Sequence, residues 1–347
     1  MARVDIIMPL YNKAPTVGRA IRSIQSQTMP DWHLIVIDDG STDGGPDIVR
    51  GLADARIVLF RQDNAGPGAA RNAGLARSEA ACVAFLDADD EWYPWYLANA
   101  LAALEASGAS LAGTTYCEWP KQVDMTRYWG RRGVAAGRYE LRGDEDPRRV
   151  EALVFFFHVG NSLVRRAMVG KYGGFWAKDC CHCGEDTTFF LPIVLGEPVV
   201  VLGPTAVVHH REDSALSNTF EHPLAPFMEE PQIVLERCPA DKRAWAGRVI
   251  DRMVLRAVHH WARNGYQEMA RKLLGRFPGV RAWPGYYWRC RLEVALSPWL
   301  PYWVRLKCAT GPRVRWWFRR AGRAWGWSPR VPETAAGARG EEGRKRG

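Results

Sequence analysis

The sequence lacks any long hydrophobic run, and this absence limits the classes of protein that it can encode. No stretch approaches roughly 18 uncharged apolar residues, so no membrane-spanning helix is expected. The opening MARVDIIMPLYNK is too short an apolar run for a signal peptide and enters a strand pattern at once. Cysteine is also sparse, with eight in 347 residues. Without a secretory signal, we expect reduced cytosolic thiols rather than a disulfide framework.

Acidic residues are nearly missing from residues 281–330, which hold eleven Lys or Arg and one acid, Glu293. The whole chain carries a net charge of +9, so the remainder is close to neutral. Half of the sixteen tryptophans lie at or after Trp283. Trp favours the headgroup level of a bilayer and Arg is attracted to anionic lipid, which predicts contact with an anionic membrane surface. The alternatives are a packed helical cap with basic solvent faces, or a surface for single-stranded nucleic acid.

The first 90 residues alternate apolar runs with amphipathic segments. Four short apolar runs predict strands: 4–9, 33–41, 56–62 and 82–90. Between the first two, Val17, Ile21 and Ile24 recur at helical spacing, and residues 68–78 also have a helical pattern. Strands separated by helices indicate crossover units and a mostly parallel sheet with helices on both faces.

Acidic residues follow three of these four runs. Asp87, Asp89 and Asp90 follow the fourth, in CVAFLDADDEWYP, while Asp39 and Asp63 follow the second and third. Clustered carboxylates at the end of a buried strand are unfavourable unless a positive group lies there. Mg²⁺ and Mn²⁺ prefer carboxylate oxygens and substrate phosphates. Because ligands bind beyond the carboxyl ends of parallel strands, this pattern predicts a polar ligand and a cation, whereas an isolated Asp-x-Asp is usually a solvated turn.

Four motifs occur in order: P-x-Y-N in IIMPLYNK, DDGSTD, G-x-x-x-A-R-N-x-G in GPGAARNAG, and DADD, followed by GGF and GED. In sequence and spacing, residues 3–217 resemble the family 2 glycosyltransferases, which are inverting enzymes. The resemblance implies the GT-A nucleotide-diphospho-sugar transferase fold, an α/β architecture with a Rossmann-like, mixed but mostly parallel sheet flanked by helices. A helical extension rich in basic and aromatic residues would follow at the C-terminus.

The resemblance also implies a donor site. Pro9 and Tyr11 match residues that pack on the nucleotide base, and Asp39 matches the acid that accepts a hydrogen bond from a pyrimidine ring. Arg71 matches a basic residue near the nucleotide phosphates, and Asp63 is placed in the same site. The ordinary alternatives are packing at a strand end for Tyr11 and a solvated helix face for Arg71.

A metal site follows from the same resemblance. Asp87 and Asp89 match the metal-binding Asp-x-Asp, with Asp87 near the ribose or a metal-bound water and Asp89 on Mn²⁺ or Mg²⁺ itself. HHREDSALS corresponds to a basic, hydroxyl-rich loop over the phosphates, so His209 is included as a metal-site candidate. His210 or Arg211 would assist the metal or the diphosphate, and an ordinary surface position is the alternative for each. A dication there would stabilise charge developing on the leaving group.

Two acids begin the apolar helix predicted from GEDTTFFLPIVLG. The resemblance identifies Asp186 as the catalytic base, which would take a proton from the acceptor hydroxyl. Glu185 is the second candidate, and a helix-start role without catalysis is the remaining alternative. Direct displacement at the sugar needs one base and no second nucleophilic carboxylate.

The segment before these acids contains Cys180, Cys181, His182 and Cys183. Such a cluster suggests zinc, but adjacent residues cannot all face one tetrahedral centre, and structural zinc sites space their ligands by two or more residues. We expect these side chains to line or support the acceptor pocket.

The predicted function is transfer of a sugar to a hydroxyl of a glycan or lipid-linked acceptor, and the resemblance implies a UDP-linked donor. A polyprenyl-phosphate glycosyltransferase is the first alternative, although a phosphate acceptor needs little help from a base. A non-catalytic nucleotide-sugar-binding scaffold of a membrane synthase is the second. The motifs argue against nucleic acid as a partner. The expected location is cytoplasmic, peripherally on the inner face of the plasma membrane.

The domain organisation predicted from these patterns has four parts. The catalytic domain spans 1–220 and divides into a nucleotide-binding half and an acceptor-binding half. The complete set of predicted segments is 1–110, 111–220, a helical extension at 221–280, the membrane-association segment at 281–330 and a disordered tail at 331–347.

Overall fold

The predicted apolar runs form strands of one ten-stranded sheet in the computed structural model, which describes residues 3–181, 183–213 and 224–296. The strands are β1 (Val4–Leu10), β2 (Trp32–Asp39), β3 (Ile57–Gln62), β4 (Cys82–Phe85), β5 (Glu91–Trp92), β6 (Leu111–Trp119), β7 (Val123–Asp124), β8 (Gly137–Tyr139), β9 (Ser162–Arg165) and β10 (Val199–His210). Their order is β3-β2-β1-β4-β9-β6-β10-β5, with β7 on β6 and β8 on β10.

Strand direction explains where a ligand site can form. β1 pairs in parallel with β2 and β4, β2 with β3, and β6 with β10. β9 is antiparallel to both β4 and β6, so β6 and β10 point the same way as the first four strands. The sheet is therefore mixed and mostly parallel, as predicted, and the carboxyl ends of six strands meet at one edge.

Helices flank this sheet. They are α1 (Ala14–Gln25), α2 (Gly45–Gly51), α3 (Pro67–Leu75), α4 (Tyr96–Ser107), α5 (Thr126–Gly130), α6 (Pro147–Phe156), α7 (Ala167–Tyr172), α8 (Glu185–Gly196), α9 (Pro226–Glu229), α10 (Pro231–Arg237), α11 (Arg243–Arg263), α12 (Gln267–Arg276) and α13 (Pro284–Leu296). In α1 the predicted Val17, Ile21 and Ile24 are fully buried against the sheet. The strands bury apolar side chains on both faces, which is the pattern expected of a sheet covered on both sides.

The C-terminal helices share the same hydrophobic core. α11 and α12 lie within the helical extension predicted at 221–280, and Gly265 separates them at φ +90°. α13 packs on α11 through the buried side chains of Tyr287, Cys290 and Val294, and the Cys290 thiol donates to the Leu255 carbonyl at 3.5 Å. The first part of the predicted membrane segment is thus a helix packed on the protein.

Residues 297–330 and the predicted disordered tail, 331–347, lie outside the described residues. Within the part of the chain that is described, no helix has both the length and the apolar composition needed to cross a bilayer.

Candidate active site

The G-x-x-x-A-R-N-x-G motif forms α3 and holds the GGF segment against it. A Cβ atom on Gly68 would lie 1.9 Å from the Trp176 carbonyl oxygen, so glycine is required for the close approach of the two backbones. Asn72 then fixes Phe175: its amide donates to the Phe175 carbonyl at 2.9 Å, and its oxygen accepts from the Phe175 N–H at 2.8 Å. Two motifs that are 103 residues apart are joined in this way.

Arg71 links the two acidic motifs. Its guanidinium donates to Asp87 and to Glu185, each at 2.8 Å, and the residue is only 3% exposed. Burial by itself would lower the pKa of Arg71, but the two carboxylates outweigh it and raise the pKa. The alternative of a solvated helix residue is therefore wrong. Arg71 instead sets the distance between the strand that ends at the DADD motif and the helix that begins at GED.

Three carboxylates form the acidic end of this arrangement. One oxygen from each of Asp87, Asp89 and Asp90 lies within 4.8 Å of the others. Burial, followed by the charges of Asp90 and Asp87, raises the pKa of Asp89 to about 6. The Lys13 ammonium, 2.6 Å from Asp89, opposes this shift. Such crowding of carboxylates favours a bound cation, because a cation relieves their mutual repulsion.

His209 supplies a nitrogen to the same site. Its Nδ1 lies 2.5 Å from Asp90, which also accepts the His210 backbone N–H at 3.0 Å. Its Nε2 is buried without a hydrogen-bond partner among the described residues. A histidine that donates one nitrogen to a carboxylate and leaves the other free is the usual arrangement of a metal ligand. The carboxylates of Asp87, Asp89 and Asp90 therefore form a group that can hold a divalent cation, and Asp90 also orients His209.

These groups line a cavity of about 250 Å³ at the carboxyl edge of the sheet. Its lining residues are Asp87, Asp89, Asp90, Tyr116, His158, Val159, Asp186, His209, His210 and Arg211. Burial, together with the charge of His209, lowers the pKa of His158 to about 3, so that ring is neutral. Lys13, Asp90, Tyr116 and His158 were not assigned from the sequence. Of these four, only Asp90 could have been assigned from a motif, since it is the last residue of DADD.

The two acids at the start of α8 differ in their surroundings. Glu185 is buried and its carboxylate is paired with Arg71, whereas Asp186 has no ion-pair partner among the described residues and faces the cavity. Burial, followed by the charge of Glu185, raises the pKa of Asp186 to about 7, although Arg71 opposes the shift. A carboxyl group with a pKa near neutrality can exchange a proton with a ligand at physiological pH.

Four of the predicted nucleotide-binding residues do not line this cavity, namely Pro9, Tyr11, Asp39 and Asp63. Asp39 is buried and accepts hydrogen bonds from Gln62, Ala65 N–H and Gly66 N–H at 2.8–2.9 Å, which fixes the loop before α3. The remaining three are less enclosed. Pro9 is half-buried in β1, Tyr11 follows β1 with 47% of its surface exposed, and Asp63 is exposed after β3. The exposed ring of Tyr11 is not core packing at a strand end.

The other candidates near the cavity have local partners. His210 Nε2 lies 2.6 Å from Glu91, and Arg211 pairs with Glu118. In the cysteine segment, His182 lies outside the described residues, and Cys180 is exposed. Burial raises the pKa of the Cys181 thiol and raises that of Cys183 to about 12, so both thiols are protonated at neutral pH.

In the described part of the chain, an acidic cluster and a carboxylate without an ion-pair partner share one cavity at the carboxyl edge of a mixed α/β sheet, an arrangement typical of group-transfer enzymes that act on polar substrates. Residues 5–173 match the family model described as Glycosyl transferase family 2. The chain is 30% identical over 248 residues to the succinoglycan biosynthesis protein ExoW of Rhizobium meliloti. The aligned region covers 66% of this chain and 75% of ExoW. It is 28% identical over 222 residues to the glycosyltransferase AglE of Haloferax volcanii, covering 58% and 68% of the two chains. The chain belongs to glycosyl transferase family 2 and is a glycosyltransferase.

Solved structures show the same fold. S. aureus TarS 1-349 in complex with UDP-GlcNAc superposes with a TM-score of 0.65 at 18% identity, covering 96% of this chain and 95% of that one. The match to the longer TarS structure, with a TM-score of 0.59, covers 45% of that chain, so this chain spans less than half of it. The GT-A-type fold expected from the sequence is confirmed.

Proposed function

We propose that this chain transfers a sugar from a UDP-linked donor to a hydroxyl of a glycan or lipid-linked acceptor, with inversion at the anomeric carbon. One observation carries the proposal: Arg71 joins Asp87 to Glu185, and the neighbouring Asp186 faces the acidic cluster across one cavity without an ion-pair partner among the described residues. The fold shared with the TarS complex that contains UDP-GlcNAc supports a donor of this kind. Intact acids at both motifs argue against a non-catalytic scaffold.

The donor would lie along the carboxyl edge of the sheet. Pro9 and Tyr11 would pack on the base, Asp39 would accept a hydrogen bond from the pyrimidine, and Asp63 would border this site. Arg71 would act mainly by holding Asp87 in position, because both of its ends are already paired. The base and ribose would then lead toward the acidic cluster, where the diphosphate needs a positive partner.

Asp87, Asp89 and His209 would hold Mn²⁺ or Mg²⁺, with Asp90 fixing the orientation of His209. When bound, the cation would stabilise the negative charge that develops on the diphosphate leaving group. Asp186 faces the same cavity and would accept the proton of the acceptor hydroxyl. Glu185 is a poorer base because its carboxylate is committed to Arg71. A phosphate acceptor would not need Asp186, so the hydroxyl acceptor is favoured.

We expect nucleotide release from a UDP-sugar when the purified chain is incubated with Mn²⁺ and a panel of UDP-, GDP- and dTDP-sugars. Release of free nucleotide is the measurement, because slow transfer to water needs no knowledge of the acceptor. EDTA-treated samples provide the blank. Binding of UDP-sugars without any nucleotide release, with or without cell-envelope extract as a source of acceptor, would instead support the scaffold alternative.

Residues 281–330 would place the enzyme on an anionic membrane, at the cytoplasmic face. On α13, the side opposite the core exposes Trp288, Leu292 and Leu296 at a spacing of four residues, with exposures of 64%, 60% and 46%. Basic and aromatic residues continue beyond α13 to residue 330. An apolar stripe next to clustered positive charge suits the interface of an anionic bilayer.

Removing residues 297–347 should weaken vesicle binding without unfolding the chain. A cut near Phe277, just before the predicted membrane segment, would also remove α13 and uncover α11, so Leu296 is the better end point. The full chain should co-sediment with vesicles containing phosphatidylglycerol, and less at high salt because exposed charges are screened. Vesicles of pure phosphatidylcholine are the control. Equal sedimentation of both chains would contradict a membrane role for the tail.

A further inference from the structure

Asp186 also borders a second cavity. It encloses about 300 Å³ and is bordered by α6, the start of α8, α9 and α11. Among the residues described, Asp186 is the one side chain that lines both cavities. A ligand in the second cavity can therefore reach the proposed base, as an attacking acceptor must.

The walls of the two cavities differ in chemistry. The first is lined mainly by carboxylates, imidazoles and a guanidinium. The second is largely apolar and aromatic, lined by Phe155, Ala225, Phe227, Met228, Met253, Ala257 and Trp261. Its guanidinium, on Arg256, already lies 4.6 Å above the Phe155 ring and 3.7 Å from Glu151. A free glycan would leave most of its hydroxyls without partners against such walls, which is unfavourable.

Local backbone geometry shapes this cavity. Gly184 begins α8 with φ +75°, and a Cβ atom there would lie 2.6 Å from the Cβ of Ala225. The glycine therefore lets α9 approach the start of α8, which brings Phe227 and Met228 into the wall. The opposite wall is α11, where Met253, Ala257 and Trp261 recur every four residues on one side of the helix.

We propose that this second cavity binds the acceptor, and that the acceptor is lipid-linked. This proposal rests on the proposed function. The sugar hydroxyl of the acceptor meets Asp186, and the first part of its apolar chain lies between α9 and α11. The volume is at the lower end of the range for small-molecule pockets, about 300–1,000 Å³, so it holds a short segment rather than a whole glycan. Burial of a hydrocarbon segment stabilises the complex by roughly 25 cal/mol per Å².

Methyl NMR of the full chain tests this proposal without relying on turnover. The chain has eight methionines, and Met228 and Met253 line the cavity, so ¹³C-methyl labelling places two probes inside and leaves the others as references. Met228→Leu and Met253→Leu assign the two signals. Octyl β-D-glucopyranoside, below its micelle concentration, and farnesyl diphosphate supply apolar chains. Methyl β-D-glucopyranoside and inorganic diphosphate are the matched compounds that lack them.

Both Met228 and Met253 signals should shift with at least one chain-bearing probe and with neither chain-free compound. Ala257→Phe, which fills the cavity, should weaken that binding about tenfold or more. The matched Ala244→Phe change, at an exposed position of the same helix, should leave it unchanged. Ala257→Leu is the smaller substitution if the phenylalanine variant does not fold. Absence of shifts with both chain-bearing probes, or equal shifts with the chain-free compounds, overturns the proposal.

The proposed function is tested separately, by measuring nucleotide release from UDP-sugars with the same wild-type chain. Methyl shifts without nucleotide release support the apolar site and contradict the catalytic role. Nucleotide release without methyl shifts supports catalysis and overturns the lipid-linked acceptor.

Discussion

Asp89→Asn should lose roughly 10² to 10³-fold in sugar transfer, because a carboxylate–metal contact contributes several kcal/mol to the stability of the transition state. In the structure Asp89 is 8% exposed and lies within reach of Asp87 and Asp90, so its charge is directed at the cavity. EDTA should silence the wild-type chain, and added Mn²⁺ should restore it. Transfer rates and Mn²⁺ binding by calorimetry provide two independent readouts.

The matched control is Asp47→Asn, a surface carboxylate that is 81% exposed and pairs with Arg50. This change should leave both transfer and Mn²⁺ binding unchanged. Full activity of the wild-type chain in EDTA after exhaustive dialysis would contradict the metal role of the acidic cluster.

Asp186→Asn should reduce transfer by roughly 10² to 10⁴-fold, the usual contribution of a general base, while UDP binding stays close to that of the wild type. The wild-type rate should fall as the pH drops below about 7, because the base is active only when deprotonated and its pKa is raised to about 7. The pH dependence of the rate, together with calorimetry of UDP binding, measures both expectations.

The same substitution has an expected effect on stability. A carboxyl group whose pKa is raised on folding destabilises the folded state once the pH is high enough to ionise it. Asparagine resembles the neutral acid, so Asp186→Asn should raise the melting temperature at pH 8 and have little effect near pH 4. Glu185→Gln should act differently, because it leaves a buried Arg71 with one partner and should lower the melting temperature at both pH values. Normal transfer by Asp186→Asn, with an inactive but folded Glu185→Gln, would make Glu185 the base.

Most of the fold could be predicted because its signals are local. The runs that became β1 to β4 are dominated by apolar residues, and the spacing of Val17, Ile21 and Ile24 marks the face that α1 buries. The helix α2 was missed, since GGPDIVRG is short and begins with residues typical of turns. The packing of α13 on the core was not predicted either, because Tyr287, Cys290 and Val294 lie among many exposed aromatic and basic residues.

By itself, the sequence determined the order of the first four strands with the helices α1 and α3, the placement of acids after the strands, and the family to which those motifs belong. Only the tertiary structure decided which of these groups meet. Arg71 and Glu185 are 114 residues apart, and Asp90 and His209 are 119 apart, yet each pair is in direct contact. The physical reason is that apolar periodicity is a property of neighbouring residues, whereas an ion pair, a shifted pKa and a shared cavity depend on how distant elements pack. The pairing that occupies Glu185 and leaves Asp186 facing two cavities is such a property of packing.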